Sequence, residues 1–272
     1  MSEVKTYSIT HLFHTSWEQL SPMKVAIIAG LQARMQELDK ESIEYGRLLI
    51  EVLYTARKNK RLVAKINVDQ AVDIYNDLQF LNHPWTYFPL KRLTTRHYLL
   101  SAPDERMHDR SFDHFIYADN EFTTYLALEQ MRPGDKPNKV YLSRLAATLY
   151  TRPDIDIHFN PDTIEPRAAL LEKSIQPWQQ SLILHTYANI RKSITARCPV
   201  LFNAPPEGTE PPPEDNIKPI KPTGPMWLKL KYRLAETPAF QGYQVAARAP
   251  LYTALDYLED LSKQKENAAT AN

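Results

Sequence analysis

The sequence predicts an α+β fold that is mostly α-helical: a helical body with a small antiparallel sheet and a C-terminal helical arm. Apolar residues recur at three- and four-residue steps through most of the 272 residues, the signature of helices with one buried stripe. Strand-like alternation is confined to residues 61–100. A proline-dense stretch then separates two further amphipathic segments from everything before it.

In order along the chain, Ser21-Pro22 opens the first helix, with Ser21 as N-cap and Pro22 at the first helical position. Ile28, Leu31, Met35 and Leu38 form its stripe. A second helix over 42–57, with Tyr45, Leu49, Val52 and Leu53 inward, completes a helical hairpin. Leu62, Ala64, Ile66 and Val68 alternate with their neighbours as a strand does. A short helix with Val72, Tyr75, Leu78 and Phe80 ends at His83-Pro84, because the residue before proline avoids helical angles. Residues 86–100 read as extended, with Tyr87, Leu93, Tyr98 and Leu100 buried, so a sheet of two or three strands is expected.

Helix resumes with Phe112, Phe115, Ile116, Phe122, Tyr125 and Leu126, and Pro133-Gly134-Asp135 stops it. Val140, Leu142, Leu145 and Leu149 make the next helix. Ile183, Tyr187, Ile190 and Ile194 face inward from a helix over 178–197. Between 203 and 225 prolines stand at positions 205, 206, 211, 212, 213, 219, 222 and 225, a composition that favours a stiff, extended spacer. The predicted organisation is therefore a main body over 1–202, a linker over 203–225, a helical arm over 226–262 and a disordered polar tail over 263–272.

Composition excludes several function classes. Thirty-three Lys and Arg offset 32 Asp and Glu, which disfavours a dedicated nucleic-acid or anionic-membrane binder. Cys198 is the single cysteine, so an intrachain disulfide and a cysteine zinc cage are both ruled out. The N-terminal residues lack the pattern of a secretory signal, and no apolar run approaches the ~20 residues of a membrane span. A cytoplasmic protein is expected, in a reducing compartment and without a membrane partner.

Six glycines scattered along the chain form neither a phosphate-cradling loop nor a nucleophile elbow. The densest ionisable cluster is Asp104, Glu105, His108, Asp109, Asp113 and His114. Glu105 and His108 have the spacing of a di-iron bundle ligand pair, but the second such pair is missing. His11 and His14 supply two ligands at most. The basic run over 57–61 lacks the interleaved aromatics of a single-strand binder, and Pro219 and Pro222 have a P-x-x-P spacing that a proline-dense linker produces by chance. No catalytic, cofactor or metal residue is assigned, and no enzyme is expected. The candidate binding residues are Trp227, Leu230, Leu234, Leu251, Leu255 and Leu258, an apolar face on a tethered arm that must be covered either by the main body or, as a binding arm, by a protein partner or another copy of the chain.

Four stretches carry a family resemblance: SWEQLS at 16–21, FDHFIYAD at 112–119, LSRLAATLYTRP at 142–153 and PMWLKL at 225–230. In their order they resemble tail-module proteins of unassigned role encoded in phages and prophages of Bacteroidetes-type bacteria. The resemblance implies an assembly factor, similar to tail assembly chaperones that shield the tape-measure protein. The alternatives are a structural component of a tail or related injection particle, and a metal-dependent enzyme using the His108 region.

Overall fold

A computed structural model describes residue 14 and residues 16–35, 78–153, 155–156, 158–202 and 224–270. The chain divides into two compact units, Met1–Trp85 and Thr86–Asn272, rather than at the proline-dense stretch. The expected second helix at 42–57, the strand at 61–68, His11 and nearly all of the expected linker lie outside the described residues.

In the first unit, helix α1 (Pro22–Met35) begins where proline's fixed φ is already helical. Val25 and Ile28 are fully buried. Trp17, in a 3-10 turn, anchors the chain arriving from the other end of the unit. Its Nε1 donates to the carbonyls of Phe80 and His83 at 3.0 and 2.8 Å, and its ring meets Phe80 edge-on at 5.3 Å.

The second unit carries the sheet: β1 (Arg92–Thr94) pairs antiparallel with β2 (Leu99–Ser101), with Leu93 opposite Leu100. Those two side chains are buried, as alternation requires. Tyr87 and Tyr98, expected beside them, are only partly covered. Ser101 also exchanges backbone hydrogen bonds with Thr151, and the Tyr150 hydroxyl donates to the Leu90 carbonyl at 2.8 Å.

Helices α2 (Phe112–Met131) and α3 (Lys136–Leu149) form an antiparallel hairpin around Gly134, whose φ of +75° suits a residue without a Cβ. Helix α4 (Ile164–Ser174) packs on α3 and was not foreseen; α5 (Pro177–Arg197) was. Ile183, Tyr187, Ile190 and Ile194 are all buried.

The C-terminal residues form α6 (Gly224–Ala235), α7 (Tyr243–Arg248) and α8 (Leu251–Thr270). All three pack on α2, which makes α2 the central helix of the unit. Helix α8 also runs through the segment expected to be a disordered tail. No described helix is long and apolar enough to cross a membrane. The architecture is mostly helical α+β, as the periodicity implied.

Candidate functional site

The six residues expected to form a free binding face are core residues. Trp227, Leu234, Leu251, Leu255 and Leu258 are fully buried and Leu230 is 8% exposed. The reason lies on α2, where Phe112, Phe115 and Ala118 are fully buried beneath the arm. The Trp227 ring stands edge-on to Phe115 at 4.9 Å and near Phe112 and Phe202. Side chains of this size contribute about 1.5–3 kcal/mol each on burial, so folding, not partner capture, consumes their hydrophobic gain.

Polar contacts lock the same docking. Phe112 N–H donates to the Ala249 carbonyl at 2.8 Å, and Leu251 N–H to the Arg110 carbonyl at 3.0 Å. Lys231, 4% exposed, pairs with Asp113. The Glu259 carboxylate accepts from the Leu201 N–H at 2.7 Å, and Arg197 grips Asp256 with two hydrogen bonds. A separately moving arm is therefore replaced by one folded unit.

What the arm leaves exposed is its outer face. Leu228 and Tyr232, one turn apart on α6, are 44% and 52% exposed, and Tyr243 and Val245 on α7 are 38% and 54% exposed. Tyr232 and Tyr243 lie against each other at 5.2 Å, and the Lys231 ammonium sits 3.9 Å from the centre of the Tyr243 ring. Sequence reasoning missed this patch because it assigned the apolar residues of the arm to one face only. The signal was present in Leu228 and Tyr232, four residues apart and each one position after an inward residue.

The ionisable cluster around His108 separates in space. Glu105 accepts from the Thr86 hydroxyl at 3.1 Å, the His108 ring stacks on Tyr252 at 4.4 Å, and Asp113 belongs to the Lys231 pair. Among the described residues, no group of three or more His, Cys, Asp or Glu is placed to hold a metal ion. His14 lies 3.2 Å from the Lys24 ammonium.

Three members of the cluster, His108, Asp109 and His114, instead line a cleft of about 250 Å³ at the N-terminus of α2, together with Arg110, Ser111, Asp156, His158 and Arg248. Ser111 caps α2, and its hydroxyl lies 3.1 Å from His114 Nδ1. Burial, with the guanidinium groups of Arg110 and Arg167 adding to it, pushes His114 down to about 3, so its ring is neutral at pH 7. Among the described residues no carboxylate hydrogen-bonds that ring, so the serine–histidine pair lacks the third member of a nucleophilic triad.

The two buried arginines beside the cleft differ. Arg167 donates to the carbonyls of Ala147 and Tyr150 and to the carboxylate of Asp156. Arg110, 9% exposed, makes one long hydrogen bond to the Leu149 carbonyl at 3.4 Å, and its Nε makes none. Asp156, His158 and Arg248 were not foreseen because they reach the cleft from segments far from Arg110 in sequence.

Comparison with known proteins finds no matching family model, no matching curated protein and no matching solved structure.

Proposed function

We propose that the chain is a non-enzymatic assembly factor that binds an apolar helical segment of another protein, in the manner of a tail assembly chaperone acting on a tape-measure protein. The observation that supports binding is the exposed surface of Leu228 and Tyr232, one turn apart on α6, with Tyr243 packed against Tyr232. Aromatic rings offer large contact area with little conformational freedom to lose, and paired tyrosines are common anchors of protein interfaces. The phage context rests on the resemblance of the four sequence stretches alone.

In this reading the rigid unit presents the patch, and an amphipathic helix of the partner lays its apolar stripe across α6 and α7. The docked arm serves as scaffold. The test is co-purification of the full chain with apolar helical segments of a tape-measure protein. Tyr232→Glu combined with Leu228→Glu should abolish capture while leaving the melting temperature within a few degrees, because about half of each side chain is in solvent. Capture that survives the double substitution excludes the patch. Recovery of the chain from purified particles would instead favour the structural-component reading.

A further inference from the structure

We propose that the cleft at the N-terminus of α2 is a binding site for a small molecule bearing an oxyanion, a phosphate or carboxylate group, held between Arg110, Arg248 and the Ser111 hydroxyl. This goes beyond the protein-binding reading and uses a different surface.

The first ground is the unmet donor capacity of Arg110. A guanidinium carries five N–H donors, and a buried charge is costly unless acceptors surround it. Arg167, equally buried, has found its acceptors in two carbonyls and Asp156. Arg110 has one long bond to a carbonyl and a buried Nε with no hydrogen bond; the Asp109 carboxylate approaches that nitrogen only to 3.5 Å. Arg110 is among the residues that line the cleft; its Nε is shielded from solvent, so an acceptor arriving there would meet the guanidinium through its terminal nitrogens.

The second ground is the sign of the surroundings. Asp156 accepts from Arg167 and from the Arg152 N–H through Oδ2, and Asp109 accepts from the Asp104 N–H through Oδ1 at 2.8 Å. Arg248, exposed at the same cleft, makes no ion pair with any described residue. The lining therefore carries two guanidinium groups and two carboxylates, each carboxylate already engaged by donors of the protein itself. The lowering of His114 comes chiefly from burial, and the guanidinium groups of Arg110 and Arg167 add to it.

The third ground is the backbone. Helix α2 has 20 residues, long enough for its N-terminal dipole to favour negative charge. Its capping hydroxyl lies at the cleft. A volume of about 250 Å³ exceeds a single water's share of roughly 30 Å³ several-fold, which leaves room for an oxyanion and a few further atoms beside the rings of His108 and His158.

The test is calorimetric titration of the full chain with inorganic phosphate, pyrophosphate and citrate at constant ionic strength, with sodium chloride as control. Binding is located by the ring resonances of His114. Saturable binding by any of the three oxyanions, with shifts at His114, is expected. The stronger of the phosphate and citrate responses identifies the group. Arg248→Ala should weaken binding about tenfold without changing the melting temperature of the unliganded protein, because the side chain is exposed and forms no ion pair with any described residue. Three results overturn the proposal: heats no different from chloride, affinity unchanged in Arg248→Ala, or saturable binding at His114 by magnesium or zinc in place of the anions.

Discussion

The Trp227 indole N–H donates a hydrogen bond to Asp119 Oδ2 at 2.6 Å, joining α6 to the middle of α2 across 108 positions of sequence. Asp119 has no exposed surface, and its other oxygen accepts from Arg191 Nε on α5. One buried carboxylate thus ties three helices together.

Trp227→Phe keeps most of the apolar ring but removes the donor from Asp119. Stripping one partner from a buried acceptor costs roughly 1–3 kcal/mol. Urea denaturation should show that loss with an unchanged m-value. Trp227→Ala, which also opens a cavity, should cost about 3–5 kcal/mol. A Trp227→Phe variant as stable as the parent would mean that Asp119 gains nothing from the indole.

Deleting residues 203–272 exposes Phe112, Phe115 and the other side chains of α2 that α6 and α8 cover. The truncated chain should aggregate or lose cooperative melting, as read by circular dichroism and light scattering. A soluble fragment with the parent's melting temperature would restore the idea of an independent arm.

Glu121 on α2 is raised from 4.5 to about 7 by burial, with the nearby Glu165 adding to it and Arg144 opposing; its Oε2 has no hydrogen bond. Because the folded carboxyl holds its proton longer than the unfolded one, stability is lost as pH rises from about 4.5 through 7. Glu121→Gln should therefore stabilise the protein at pH 8 by roughly 2–3 kcal/mol and change little at pH 4. Equal effects at the two pH values would refute the linkage.

His114 acts with the opposite sign. Its folded value of about 3 lies below the ordinary 6.5, so the unfolded chain binds the proton first and stability falls as pH drops from 6.5 towards 3. The slope approaches ~1.4 kcal/mol per pH unit. His114→Gln should flatten the acid limb of a melting-temperature profile between pH 4 and 6.5.

Helix positions were largely legible because burial on one side imposes a period that composition cannot hide. Phe112, Phe115 and Phe122 on α2 and Ile183 to Ile194 on α5 show it, and so does the Leu93–Leu100 pair in the sheet. Helix α4 was less visible, since Arg167 occupies an inward position and interrupts the apolar stripe of Ile164, Ala168 and Leu171. The two amphipathic segments of the arm correspond to α6 and α8, whereas α7 between them was not foreseen and the cover of their apolar face was left open. Periodicity reveals that a face must be covered but not by what, and the cover came from a helix a hundred residues earlier. The cleft was legible only in part: Asp109 and His114 are close in sequence, whereas Asp156 and Arg248 join them only after folding.

The placement of α2 at the centre has a consequence for synthesis. At ~5–20 residues per second, a ribosome finishes α2 several seconds before the residues of α6 and α8 that bury it are made. Throughout that interval Phe112 and Phe115 lack their final cover, and the Asp119 carboxylate lacks the Trp227 donor. The nascent chain is then a natural client for holding factors, and its yield in the cell should depend more steeply on translation speed and temperature than its equilibrium stability alone implies.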